Sequence, residues 1–203
     1  MTGFTDEERE HIREELHRAG RELFAQFGLE RTRIRDLTEE VGIGTSTFYR
    51  FFDSKEALYL SILVRERERF AEELDAELAE ASGVRAEVRR TIGYFLEELS
   101  SNPLYYRLLL DDEIRTLHRQ LPDEVVEEHH RAAMTTGDDR IDRWTSEPSF
   151  RADDPEEVQA LFRLLGFTIA AREELFEPAD AVDLYERSNE LLVDAVVDGL
   201  FVD

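Results

Sequence analysis

The chain has 203 residues, with 25 Lys+Arg against 48 Asp+Glu, a formal net charge of -23 and no cysteine. That length fits one large helical domain, or a small domain followed by a larger one. Without cysteine there are no disulfides, thiolate zinc sites or cysteine nucleophiles, and no run approaches the ~18 consecutive apolar residues of a membrane-spanning helix. The opening MTGFTDEERE is acidic and carries no apolar core, so it reads as no secretory signal, and a cytoplasmic protein without membrane association is the expectation.

Apolar residues recur at three- and four-residue spacing almost throughout, without sustained alternation, which predicts an all-α fold. A first helix should start after Thr5, with Glu8 completing a capping box, and end at Gly28. Its inward stripe is Ile12, Leu16, Ala19, Leu23, Phe24 and Phe27. A second helix runs from about Arg33 to Val41, closed by Gly42, and a third from about Thr45 to Phe51, after Gly44. Asp53 with Glu56 would cap a long fourth helix reaching about Ala81, ahead of Ser82-Gly83.

Further helices are expected near 84–100 and 103–120, the latter with Asn102 as cap and Pro103 at its first position. One near 123–145 and an irregular stretch from Thr145 to Asp153 follow. Asp154, Pro155 and Glu157 open a helix to about Phe176, and a last one spans roughly Asp180 to Leu200. There is no internal repeat or low-complexity linker. The expected division is a three-helix domain at 1–54 and a helical domain at 55–203, joined rigidly by the fourth helix.

The charge is unevenly spread. Residues 1–65 hold ten Lys/Arg and thirteen Asp/Glu, a net of -3, so the remainder carries -20 (-23 minus -3). Across Gly28–Lys55 the count is five against five. Among the 25 cationic residues only Lys55 is a lysine. Two readings account for this composition. One is adaptation to very high intracellular salt, where carboxylates hold water and cations and self-repulsion is screened within ~3 Å at 1 M salt. The other is an acidic mesophilic protein from a GC-rich genome, which also favours Arg over Lys.

The neutral stretch holds the chemistry. Val41–Leu58 reads VGIGTSTFYRFFDSKEAL. Gly42 can turn the chain sharply between helices, Val41, Ile43, Leu37 and Phe48 can fill a small core, and Phe51 and Phe52 read as core too. Thr45, Ser46, Thr47, Tyr49 and Arg50 are left facing outward on a short helix. That is the layout of a helix-turn-helix presenting side chains to a DNA major groove. Hydroxyls and Tyr suit phosphates, whereas Arg reads guanine in a bidentate manner. Helix N-termini add free N–H groups, and Lys55 stands at one of them. Arg31, Arg33 and Arg35 read either as part of this surface or as a solvated face.

Over about residues 8–60 the sequence resembles the TetR family of transcriptional regulators. The matching residues are Ala19, Leu23, Phe24, Phe27, Gly28, Thr32, Ile34, Leu37, Val41, Gly42, Ile43, Thr47, Phe48, Tyr49, Phe52, Ser54, Lys55, Glu56 and Leu58. The resemblance implies a homodimer that binds a double-stranded DNA operator. It places Thr47, Tyr49 and Lys55 on backbone-contacting positions and Arg35 where several members reach into the groove; Thr45, Ser46 and Arg50 fall on variable positions of the recognition helix. Gly44 stands for the usual serine at the third helix's cap, Thr38 for an alanine, and Arg33 for a Ser/Thr.

By the same analogy the second domain would enclose a small-molecule effector. Phe95, Tyr105, Tyr106, Leu109, Met134 and Trp144 are the pocket candidates, against ordinary core packing as the alternative for each. The last two helices would pair with a second subunit. Leu161–Ala171 is apolar nearly all round, and Leu161, Leu165 and Ile169 would face Leu184, Leu191, Leu192 and Val196 across the interface. His129-His130 lack a third ligand at a telling spacing, and adjacent helical residues point about 100° apart. No metal site, cofactor or catalytic motif is therefore expected. The resulting function is a ligand-responsive regulator, a repressor released from its operator by a small molecule. The alternative is a small-molecule- or protein-binding helical module that has lost DNA recognition.

Overall fold

The structure, a computed structural model, describes residues 4–110, 113–122, 124, 125, 127, 139–170 and 182–202. Thr5 is extended and closes the predicted capping box: its Oγ1 accepts the Glu8 N–H at 3.2 Å, and the Glu8 carboxylate accepts the Thr5 N–H at 2.8 Å. Helix α1 (Asp6–Arg31) begins there. Its regular part stops at Gly28, whose φ of 78° and ψ of 170° only glycine adopts without strain. Phe27, expected inward, is 41 % exposed, because the stripe rotates off the core as the helix ends.

Helix α2 (Ile34–Val41) starts where the Asp36 carboxylate accepts the Arg33 N–H at 2.9 Å. It closes at Gly42, left-handed with φ 74° and ψ 29°. Helix α3 (Thr45–Phe48) is shorter than the sequence suggests. Its end tightens into bonds from Arg50 N to Thr47 O and from Phe51 N to Phe48 O, a 3₁₀-type closure. Helix α4 (Lys55–Leu78) is capped by Ser54, whose Oγ accepts the Ala57 N–H at 3.1 Å, and not by Asp53. Ser54, directly before the first turn, has the extended backbone of an N-cap, with φ -156° and ψ 168°.

Beyond Gly83 come α5 (Val84–Ser101), α6 (Pro103–Leu110) and α7 (Glu113–Gln120). Asn102 caps α6, its Oδ1 accepting the Leu104 N–H at 3.1 Å. A helical stretch covers 139–145. Helix α8 (Pro155–Ala170) follows an Asp154 cap that accepts the Glu156 N–H at 2.8 Å. Helix α9 (Val182–Leu200) ends the described chain, and Phe201 pairs with Phe150 in an isolated bridge. No extended sheet occurs among the described residues, so the fold is all-α. The expected boundaries at Phe176 and Asp180, and His129-His130, lie outside the described residues.

Two apolar cores organise the chain. The first joins Leu16 and Phe24 of α1, Leu37 of α2, Phe48 and Phe52 around α3, and Leu58, Tyr59, Ile62 and Leu63 of α4; Leu104 of α6 and Leu117 of α7 complete it. The second joins Val88, Ile92 and Leu96 of α5 with Trp144, Phe150, Val158, Leu165, Ile169, Val193 and Val197. A division at residue 54 therefore passes through the first core, which keeps the opening turns of α4.

A polar layer lies between the two. Glu66, 5 % exposed, accepts from Arg21 Nε at 2.7 Å and Asn102 Nδ2 at 2.7 Å. Asn102 also donates to Glu98 at 2.8 Å, and Arg69 joins Glu66, Glu73 and Glu98. Burial alone would raise the Glu66 carboxyl, but bonds from Arg21 and Asn102 together hold it below the ordinary carboxylate range.

Candidate nucleic-acid interface

Phe48 and Phe52 anchor the short recognition segment from beneath, and Phe48 holds Tyr49 edge-on with ring centroids 5.6 Å apart. The outer face is what remains. Thr45, Ser46, Tyr49 and Arg50 are exposed, Tyr49 at 56 %, while Thr47 is half-buried. Gly44 caps α3 without a side chain, leaving the backbone N–H groups of Thr47 and Phe48 to bond the Gly44 carbonyl.

The arginines differ in how free they are. Arg35 is paired with Glu39 at 2.6 Å on an exposed surface, a contact that water and salt weaken. Arg33 and Arg50 have no carboxylate within ion-pair distance among the described residues. The Arg50 guanidinium instead lies 4.8 Å from the centroid of Phe4, and Phe4 packs on Phe51 at 6.4 Å. Arg9 and Arg13 stack on Phe51, and Arg13 also on Phe52. Cations here are held by aromatic faces, which leaves their charge uncancelled.

Lys55 opens α4, as its register implies, and its ammonium is held by the end of α1. Its ammonium donates to Leu29 O at 2.5 Å, Thr32 O at 2.8 Å and Glu30 O at 3.3 Å. All three donors are used on carbonyls at the frayed end of α1, where a cation is favoured. A direct phosphate contact would have to give up one of these bonds.

That same end of α1 is clamped from the second half of the chain. Glu113 of α7, 5 % exposed, accepts the Leu29 N–H at 2.8 Å and bonds the Tyr59 hydroxyl. Arg107 of α6 donates to Ala25 O and Gln26 O, each at 2.9 Å. Nearby His17 is buried against Phe52, and burial, reinforced by Arg65, pushes its imidazole down to about 4.

The effector candidates separate on inspection. Trp144 is 1 % exposed, stacks on Phe162 and donates Nε1 to Glu87 at 3.1 Å, so its polar atom is satisfied within the core. Phe95 packs edge-on against Phe162 at 5.4 Å. Tyr105 is half-buried and packs edge-on to Phe70 at 6.5 Å. Met134 and the side chains of Tyr106 and Leu109 lie outside the described residues. A groove of about 780 Å³ between α4, α5 and α9 is lined by Glu73, Glu77, Glu97, Glu98 and Glu190 with Arg89, Arg90 and Tyr94, none of them a predicted pocket residue.

Of the expected interface residues, Leu165 and Ile169 turn into this chain's own core. The exposed apolar side of α8 is Leu164, 66 % exposed, and Phe167, 53 %. Leu184 and Leu191 of α9 are exposed at 50 % and 70 %, with Leu161, Leu192 and Val196 half-buried. No group of three or more metal-ligating side chains, and no helix long and apolar enough to cross a membrane, occurs among the described residues.

Residues 16–62, the span from α1 through the first turns of α4, match the family described as bacterial regulatory proteins, TetR family. The N-terminal domain is a TetR-family domain. Comparison with curated proteins gave no match. Solved structures match over nearly the whole chain at low identity. One is described as a transcriptional regulator from Saccharomonospora viridis in complex with choline, 18 % identical, TM-score 0.71, covering 96 % of this chain and 99 % of that one. Another is the regulator FadR from Bacillus subtilis in complex with stearoyl-CoA, 18 % identical, TM-score 0.65, covering 89 % and 97 %. The superantigen PfiT also matches, 20 % identical, TM-score 0.68, covering 97 % and 98 %. At these identities the likeness establishes the fold of the second half, and function has to be argued from the sites.

Two features of this TetR-family domain escaped the sequence. Phe4 occupies the apolar position just before the Thr5 cap, a hydrophobic-staple signal that was there to be used, though its partner is Phe51. Glu113 reaches Leu29 across 84 positions, and no local signal announces that.

Proposed function

We propose that the protein is a homodimeric, ligand-responsive transcriptional regulator of the cytoplasm, acting as a repressor that leaves its operator when a small molecule binds. The observation that carries this reading is the exposed face of α3. In a chain of net charge -23, it presents Thr45, Ser46, Tyr49 and Arg50 with no carboxylate paired to Arg50. Such a face suits close uncharged contacts to phosphates plus one guanidinium for a base edge. Thr47, at the half-buried root, supports the backbone contact, and Arg33 and Arg35 flank it from α2.

Dimerisation is supported by the apolar surface of Leu164, Phe167, Leu184 and Leu191, which a second copy would cover. Twofold symmetry then sets two recognition helices against two half-sites. Response to ligand is supported by the clamp of Arg107 and Glu113 on the end of α1. A ligand favouring a different placement of α6 and α7 would shift α1, and the DNA-reading helices with it. Structures of this fold hold molecules as unlike as choline and stearoyl-CoA, so the fold accommodates effectors without dictating one.

The acidic surface and near-absence of lysine support a working environment of high salt. Binding of fluorescent operator-region DNA, measured by anisotropy in molar KCl, tests the reading. Sequence-selective binding lost in Arg50→Ala supports it; equal affinity for unrelated duplexes favours the module that has lost DNA recognition.

A further inference from the structure

Helix α4 carries one group that the DNA-binding reading leaves unused. Nε and Nη1 of Arg67 are buried and have no hydrogen-bond partner. Arg67 stands on the α4 stripe of Leu63, Phe70 and Leu74, with Leu63 and Leu74 in the interior. One turn along, Phe70 packs against Tyr94 of α5 at 5.2 Å and Tyr105 of α6 at 6.5 Å. The Tyr105 hydroxyl is pushed up by burial and by Glu66 and Glu98, while the charges of Arg69 and Arg67 pull the other way. Arg67 as a residue is half-buried, with Nε and Nη1 turned inside on the α4 face that carries Leu63, Phe70 and Leu74.

Its unfilled donors make this group unusual. The carboxylates of the neighbouring polar layer, Glu66, Glu73 and Glu98, bond Arg21 and Arg69, and none bonds Arg67. Two inward-facing donors of Arg67 are then left unfilled among the described residues. A chain with 48 Asp+Glu has no shortage of acceptors to offer, and a buried donor left unfilled destabilises a fold by the full cost of its desolvation. An acceptor supplied from outside, best a carboxylate that meets two guanidinium N–H groups at once, fills them.

We infer that Arg67 is the anchor of the effector site, and that the effector is an amphiphilic monoanion, a carboxylate on an apolar body that lies against Phe70 and Tyr105. This rests on the ligand-responsive reading and names the class of ligand for it. The charge pairs with the guanidinium through its unfilled donors, in the bidentate manner that Arg and carboxylate favour. Being buried, the pair is screened much less by salt than a surface ion pair.

The test is calorimetric titration of the full-length protein in molar KCl with octanoate, 1-octanol and octylamine, without DNA. Octanoate should bind wild type at least tenfold more tightly than either of the others. Arg67→Met should weaken octanoate at least tenfold and leave octanol unchanged, and Arg67→Lys should recover part of the loss. Without ligand, Arg67→Met should melt higher than wild type, since it removes two unfilled buried donors, so its lost binding is not unfolding. Octanoate binding Arg67→Met as well as wild type, octylamine preferred through the acidic groove, or no octanoate binding at all would each overturn the assignment. Because no DNA is present, octanoate binding through Arg67 with no operator binding would overturn the regulator reading alone.

Discussion

Substituting Gly28 by alanine probes the joint between the two halves, and Gly42 provides its control. Both glycines have positive φ, 78° and 74°. Around Gly42 an added Cβ meets nothing within 4 Å, and its left-handed backbone costs an alanine about 1–2 kcal/mol. At Gly28 the combination of φ 78° and ψ 170° is the region nearly confined to glycine, worth about 1–3 kcal/mol. There the Cβ would also lie 2.8 Å from Glu113 Oε1 and 3.2 Å from Arg107 Nη1. A flexible carboxylate would ordinarily step aside, but this one is buried and holds both the Leu29 N–H and the Tyr59 hydroxyl. Displacing it breaks both bonds, at roughly 1–3 kcal/mol more. Gly28→Ala should therefore lose about 2–6 kcal/mol, against about 1–2 for Gly42→Ala. Urea unfolding in molar KCl at 25 °C measures both. Equal losses at the two sites would refute the claim that Glu113 is fixed at this joint.

The remaining predictions concern the same domain. Lys55→Met should cost about 2–3 kcal/mol, because the carbonyls of Leu29, Glu30 and Thr32 lose a charged donor; urea unfolding reads this, and the salt dependence of DNA binding should be unchanged if Lys55 is a cap and not a phosphate contact. His17 is depressed from 6.5 to about 4, so below pH 6.5 the unfolded chain takes up a proton that the folded one refuses. Stability should fall as pH drops from 6.5 to 4, by at most about 3 kcal/mol, and His17→Phe should remove that slope between pH 5 and 6.5, above the range where carboxylates titrate. With Arg33 left to phosphate and Arg50 to a base edge on each recognition face, a dimer neutralises about two phosphates, so log K against log salt should slope near -2; a slope near -10 in an anisotropy series would show a far more cationic footprint.

What the sequence made legible was local. The Thr5–Glu8 box, the stops at Gly28 and Gly42 and the opening at Asp154 each depend on residues within one turn, and each stands where expected. Errors arose where the third dimension decides. Leu161–Ala171 is apolar nearly all round, so periodicity alone did not say that Leu165 and Ile169 face inward while Leu164 and Phe167 face out. Trp144 is buried with its N–H held by Glu87, 57 positions away, a partner that no local signal announces. Lys55 is in register for a phosphate, and that its ammonium is also held by the end of α1, 23 to 26 positions away, needed the fold to show. The face of α3 was readable because its four-residue helix leaves few ways to bury Phe48 without exposing Thr45, Ser46 and Tyr49.

The central claim is that α3 reads a DNA sequence with Arg50 as its base-reading cation. Selection from a random duplex pool in molar KCl, with wild type and Arg50→Ala side by side, tests it most directly. The account predicts a twofold-symmetric site enriched by wild type, with one guanine position per half-site losing its preference in the variant at a cost of about 1–3 kcal/mol. A pool left unenriched by wild type, or the same site selected equally by Arg50→Ala, would contradict it.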